Sequence, residues 1–259
     1  METTMASLAA PSQGTQMIDR TVALMRLVAT YCPKGARLTD LAEEAGLPPP
    51  TARRILKRLV DHGLVAQDDT KHRYSLGKLA FELGLSANHV TAESARYRPL
   101  IEAIGKATGD TVFLVLRSGL DSICVDRVDA GHTEKPTTLR VGDRLPLGVG
   151  VAGMALLAAL PVDEAEDVIA ANQAVYRRFT RTTGSTFREH LETARKVGHV
   201  VRRSPVTPGI VGFGMVLPHP SGEVQAAISG ATAAVNFAEP RRSEMVGLMR
   251  DLVARYMPT

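Results

Sequence analysis

Cysteine is almost missing from this 259-residue chain, with only Cys32 and Cys124, far apart in sequence. So sparse a set gives no disulfide framework, and two reduced thiols in the cytoplasm are the expected state. The seven histidines (His62, His72, His89, His132, His190, His199 and His219) fall in no HxxxH spacing, and no CxxC occurs. Neither a metal site nor a cofactor is expected from such a set. Long apolar runs are also lacking. The longest, Met154 to Leu160, stops at Pro161, well short of the roughly 18 residues of a membrane helix. Residues 1–16 are small and polar, with no basic start and apolar block. They read as a disordered tail and not as a secretory signal. No Gly-x-Ser-x-Gly elbow is present, which removes the nucleophile turn of one large hydrolase class.

A strong charge bias is absent as well. The formal net charge is +4, with 11 Lys/Arg against 9 Asp/Glu in residues 1–90 and 20 against 18 in residues 91–259. Bulk charge therefore selects no partner. What is present is ordinary globular material, 44% hydrophobic and 22% charged. The length suits two domains of roughly 100–200 residues each.

Charge clustering is more informative. Between Ala45 and Val60 lie Arg53, Arg54, Lys57 and Arg58 and no acid. Ahead of them, Ile18, Val22, Met25 and Val28/Ala29 recur at helical spacing, predicting a helix over Met17–Thr30. A second helix is predicted with Thr39 as N-cap and Leu38, Leu41, Ala42 and Ala45 inward, ending at Gly46. Pro50 suits a first helical position, so a third helix is predicted over Thr51–Asp61, with Ile55, Leu56, Leu59 and Val60 inward. Gly63 ends it, and Leu64–Gln67 and His72–Leu76 read as a hairpin about Asp68 to Lys71.

Helix, glycine turn, basic helix and hairpin together make a winged helix-turn-helix. Its third helix enters the DNA major groove. Thr51, Arg53 and Arg54 are the candidates for base edges. Lys57, Arg58, Lys71 and Arg73 are better placed for phosphates, and Thr39 and Pro50 complete the candidate DNA-binding set. The competing reading of the cations alone is a solvated helix face.

The run Leu38-Thr39-Asp40-Leu41-Ala42-Glu43-Glu44-Ala45-Gly46-Leu47-Pro48, then Thr51 to Leu56, Gly63-Leu64-Val65 and Tyr74-Ser75-Leu76-Gly77, resembles the DNA-binding half of IclR-type bacterial transcription regulators. The resemblance continues through the second domain. It departs at Pro50, where the family usually has Ser, removing a capping hydroxyl and a phosphate contact. By resemblance, the helical segments after the wing help form a dimer, and a dimer of dimers stays open. Two-fold pairing also matches palindromic half-sites on double-stranded DNA.

The fold class is therefore α+β: a winged helix-turn-helix domain over 17–77, a helical linker over 78–93 and a domain over 94–259 for effector binding and oligomerisation. Helices are predicted over Lys78–His89 and Ser94–Ala107, the latter with Leu100, Ile101 and Ile104 inward. Strands follow at Thr111–Arg117, Ile123–Val128 and Thr137–Val141, then helices at Met154–Leu160, Glu164–Ala171 and Phe187–Val197. Strands at His199–Arg202, Ile210–Leu217 and Val224–Ser229 precede a closing helix, Glu239–Tyr256. An antiparallel sheet flanked by helices is expected, and the resemblance implies that it is GAF-like.

Gly148-Val149-Gly150-Val151-Ala152-Gly153 matches GxGxxG, but the strand, long helix and second strand of a dinucleotide site do not surround it. Two readings stay open. The glycines expose backbone N–H groups at a helix N-terminus that can hold a carboxylate or phosphate, or they serve only a tight turn. The resemblance implies an effector pocket here, taking small organic acids. Against the family pattern, Gly148 replaces a common His, Met154 a Lys, Gly212 a Cys, and Ala227 the first Ser of Ser-x-Ser-Gly, of which Ser229-Gly230 remains. Arg202 and Arg203 stand where acids are usual. These changes predict a roomier, less polar pocket for an aromatic or larger acid, with Arg202 on its carboxylate. The alternative is two surface arginines at a strand end.

The leading reading is a ligand-responsive transcription regulator, a repressor before an activator. Asp126, Asp129 and His132 raise a weaker possibility of an enzyme on a GAF-like scaffold. A nonspecific DNA-binding protein is the third, and has no use for a large second domain.

Overall fold

A computed structural model of the chain describes residues 15–31, 34–68, 70–86, 88–129, 139–179, 184–204, 207–219, 222–236 and 238–257. Most of the expected tail, Cys32, Asp69, His132 and the start of the strand predicted over Thr137–Val141 lie outside them. Two compact units divide the chain between Asn88 and His89.

The first unit opens with α1 (Gln16–Thr30), followed by β1 (Ala36–Arg37), α2 (Leu38–Glu44) and α3 (Pro49–Asp61). Then come β2 (Val65–Asp68), β3 (Arg73–Leu76) and α4 (Lys78–Ser86). The strands form an antiparallel sheet in the order β1-β3-β2. Leu24, Val28, Leu41, Ala52, Ile55, Leu56, Leu59 and Tyr74 are buried in one core. That core uses Leu24 and Val28 of α1, whereas Ile18 and Val22 of the predicted inner stripe are 62% and 42% exposed. Two glycines set the turns. Gly46, at φ +60°, lets the Leu47 N–H reach back to the Ala42 carbonyl, and Gly63, at φ +71°, does the same for Leu64 and Leu59.

Two starts differ from expectation. The N-cap of α2 is Arg37, so Thr39 lies inside the helix and its hydroxyl donates to Asp40 Oδ1 at 3.2 Å. Pairing of Ala36 and Arg37 with β3 is what ends the extended chain at Arg37. The third helix begins at Pro49 with Pro48 as N-cap, because proline is tolerated throughout a first turn that needs no N–H donors.

In the second unit α5 (Asn88–Thr108) leads into β4 (Thr111–Ser118), β5 (Asp121–Val128) and β6 (Arg144–Pro146). Helices α6 (Gly150–Ala159), α7 (Val162–Phe179) and α8 (Gly184–Val197) follow. The chain then forms β7 (Val200–Arg203), β8 (Ile210–Val216), β9 (Ala226–Ala233) and α9 (Arg241–Tyr256). The described part of Thr137–Val141 is not a strand; β6 pairs with β5 in its place.

All pairings in the six-stranded sheet, ordered β6-β5-β4-β9-β8-β7, are antiparallel. Alternation along β4 separates two cores. Phe113 and Val115 join Cys124, α6, α7 and α8 on one side, and Val112, Leu114 and Leu116 join α5, α9 and Phe213 on the other. Burial pushes the Cys124 thiol up to about 12. Leu100, Ile101 and Ile104 are fully buried, as their spacing predicts. Asp110 is tied to Arg241 at 3.1 Å, pinning the start of α9 beside the end of α5.

Candidate nucleic-acid interface and ligand site

Helix α3 is two-sided. Ala52, Ile55, Leu56 and Leu59 are buried, so the opposite face carries Pro50, Arg53, Arg54 and Lys57 into solvent. Among the described residues, no hydrogen bond or ion pair engages the side chains of Arg53, Arg54 or Lys57. Arg58 is different: it meets Asp61 Oδ2 at 3.0 Å and His62 Nε2 at 3.0 Å. Its cation is partly spent along its own helix. Thr51 is half-buried beside the core.

The wing turn holds Lys71 in solvent, and Asp68 accepts the Thr70 and Lys71 N–H groups at 3.0 Å each. Those bonds lower the Asp68 pKa. Arg73 turns inward instead, donating from Nη1 to the Gly35 carbonyl at 2.7 Å. It braces β3 against the turn before β1. Sequence patterning could not separate Lys71 from Arg73, because β1 is too short to be noticed.

The glycine run is placed by geometry in the second unit. Gly148 and Gly150 have φ of +95° and +70°, which other residues rarely adopt. Val149 is the N-cap of α6, so Gly150, Val151 and Ala152 bring first-turn N–H groups that lack intrahelical acceptors. Tyr176 fixes the approach by donating to the Leu147 carbonyl at 2.6 Å.

Arg202 joins this turn from β7. Its Nη2 donates to the carbonyls of Gly148 at 3.1 Å and Gly150 at 2.7 Å. Its Nε is buried without a hydrogen-bond partner, and no carboxylate pairs with it among the described residues. Burial lowers its pKa to about 10. Arg202 pairs in register with Gly212 on β8. A cavity of about 50 Å³, lined in part by Phe113, Gly150, Val151, Ser204, Gly212 and Ser229 but not by Arg202 itself, shares Gly150 and Gly212 with these contacts. Neighbouring Arg203 is exposed. Phe113, Ser204 and Ile210 were not singled out from sequence; the unbroken apolar run Val112–Leu116 gave no sign of which face Phe113 takes.

A wider open cleft of about 840 Å³ runs past Leu116, Arg117, Pro161, Glu164 and Glu223. Its cation is neutralised, since Arg117 meets Glu164 at 2.5 Å. It is therefore a poor seat for an acid.

Two family patterns account for these features. The bacterial transcriptional regulator IclR C-terminal pattern matches residues 87–256, and the IclR helix-turn-helix domain matches residues 17–69. The chain belongs to the IclR family of transcription regulators. Similar IclR-family relatives include an HTH-type transcriptional regulator from Mycobacterium tuberculosis, 29% identical over 94% of this chain and 92% of its own. The HTH-type transcriptional repressor AllR of Klebsiella pneumoniae is 27% identical over 92% of this chain and 88% of its own. Among solved structures, an IclR regulator from Alicyclobacillus acidocaldarius overlays with a TM-score of 0.73 at 20% identity, covering 93% of this chain and 97% of that one. An IclR homolog from Microbacterium hydrocarbonoxydans complexed with 4-hydroxybenzoate overlays at 0.68 and 21% identity, with the same coverage. At such identities the likeness is one of fold.

Within this IclR-type domain the small residues do not leave a roomier pocket. A Cβ on Gly212 would lie 2.3 Å from Val151 Cγ2, and one on Gly148 would lie 2.8 Å from Phe187 Cζ. Larger neighbours have filled the space that the glycines vacate. The acids near the expected His132 are also occupied: Asp126 pairs with Arg98 at 2.9 Å and Asp129 with Arg127 at 2.7 Å.

Proposed function

We propose that the chain is a homodimeric repressor whose hold on a palindromic double-stranded operator is set by a small organic acid. The observation that carries the acid is the half-buried Arg202 side chain, whose buried Nε has no acceptor and which meets no carboxylate among the described residues, bound to Gly150 at the rim of a cavity at the start of α6. A partly desolvated, unpaired cation is costly, and a carboxylate is the group that its planar fork matches best. Gly150, Val151 and Ala152 add backbone N–H groups, and Gly212 and Ser229 shape the walls. The cavity has room for roughly four waters at about 12 Å³ each, which suits a short acid. An aromatic acid such as the 4-hydroxybenzoate of the Microbacterium homolog requires Val151 or Phe113 to move.

On the DNA side, Arg53, Arg54 and Lys57 carry the reading, with Thr51 at the groove wall and Lys71 on a flanking phosphate. Residues 17–77 form the DNA-binding domain, 78–93 the linker, and 94–259 the effector and oligomerisation domain. Support for a dimer comes from α1 and α4. Met17 and Ile18 are 44% and 62% exposed, Phe81 and Leu85 are 66% and 57%, and α4 buries no residue. Apolar faces left this open fit a second copy of the chain. The AllR relative favours repression over activation. The cytoplasm, where DNA lies, is the expected location.

The test is a thermal-shift and gel-shift series with acetate, pyruvate, benzoate and 4-hydroxybenzoate. At least one acid should stabilise the wild-type protein and alter its DNA affinity, and Arg202→Met should lose both effects. Equal responses in wild type and variant would remove Arg202 from the site.

A further inference from the structure

The recognition helix starts without a single free backbone donor. Pro49 and Pro50 have no N–H, and the Thr51 and Ala52 N–H groups both donate to the Pro48 carbonyl, at 2.9 and 3.1 Å. A helix N-terminus ordinarily offers its first N–H groups to a phosphate. This one has none to offer. In their place stands an apolar surface, because Pro48, Pro49 and Pro50 are all exposed.

Pro50 holds the decisive position. On a helix of about 3.6 residues per turn, positions 50, 53, 54 and 57 share one stripe. The buried residues Ala52, Ile55, Leu56 and Leu59 lie opposite. The Pro50 ring is thus the apolar end of the face whose other members are the unpaired Arg53, Arg54 and Lys57. Those cations fit the charge of duplex DNA. In the major groove the apolar group displayed by a base pair is the 5-methyl of thymine.

We propose that Pro50 reads a thymine through its 5-methyl group. This rests on the reading that α3 enters the major groove. The rise from Pro50 to Arg53 and Arg54 is about 4.5–6 Å at 1.5 Å per residue, against about 3.4 Å per base pair. The thymine therefore lies one or two base pairs from the base that these arginines contact.

The experiment uses the full chain and an operator selected from a random duplex pool. Thymines of the half-site are replaced one at a time by deoxyuridine, which lacks only the methyl, and affinity is read by gel-shift. One position should weaken by about fourfold, the effect of one buried methyl, and by about fifteenfold when both half-sites are changed. Pro50→Ser should abolish that difference between thymine and uracil while keeping its circular dichroism spectrum. No deoxyuridine effect at any position, or the same effect in Pro50→Ser, overturns the inference. Loss of binding on neutralising Arg53, Arg54 and Lys57, with no deoxyuridine effect, overturns it alone. Unchanged affinity after that neutralisation overturns the α3 reading and this inference together.

Discussion

The Arg202 guanidinium donates from Nη2 to the Gly150 carbonyl at 2.7 Å, and its buried Nε has no acceptor among the described residues. The contact joins the edge strand β7 to the first turn of α6. It leaves a charged group half satisfied at the edge of the proposed acid site.

Arg202→Met removes a partly desolvated cation but also its bonds to the Gly148 and Gly150 carbonyls, so the two effects oppose and the acid-free protein is expected to change by less than about 2 kcal/mol. Burial depresses the Arg202 pKa to about 10. Above that pH the folded form has released a proton that the unfolded chain still holds, so wild-type stability rises relative to the variant. Below it the gap between them is constant. Denaturant melts of both proteins from pH 8 to 11 check this, and a gap unchanged above pH 10 contradicts it.

Gly212→Ala forces a methyl to within 2.3 Å of Val151 Cγ2. The expected cost is about 1–3 kcal/mol of overpacking. Val151→Ala in the same chain should recover most of it, and Val151→Ala alone should widen the response from acetate toward benzoate. Chemical melts of the two single variants and the double, with acid titrations of each, provide the measurement.

Lys71 and Arg73, two residues apart on the wing, should behave differently. Lys71→Ala should lower the slope of log affinity against log salt by about 1.8 for the dimer, two phosphate contacts at about 0.9 each, with no change in melting. Arg73→Ala should cost about 1.5–3 kcal/mol of stability in the first unit through its lost bond to Gly35. A salt titration of operator binding beside a thermal melt distinguishes them. The prediction fails if Arg73→Ala melts like wild type.

Phe81→Asp and Leu85→Asp should reduce the sedimentation mass toward that of one chain, because α4 buries nothing within its own unit. The melting temperature of the monomer should change little. Retention of the wild-type mass by both variants counts against α4 as the pairing surface.

Periodicity made much of the architecture legible. Ile55, Leu56 and Leu59 against Arg53, Arg54 and Lys57 are sorted by a 3.6-residue period, and Leu100, Ile101 and Ile104 by the same rule. Failures came where tertiary pairing decides. The two-residue β1 exists only because β3 lies beside it, and it displaced Thr39 from the cap and drew Arg73 inward. The stripe through Ile18 and Val22 is a genuine helical face, but patterning cannot tell a core from a surface open to another chain. The volume of the ligand site was equally hidden. Small residues at 148 and 212 suggested space, while Val151 and Phe187, distant in sequence or on another element, occupy it.

Cys124 offers a practical consequence. Its sulfur lies between the sheet and α6 with its pKa held near 12, so a folded domain shields it from alkylating reagents. Chemical modification at this position would time the parting of those two layers, giving a natural clock for whether an acid tightens or loosens the regulatory half.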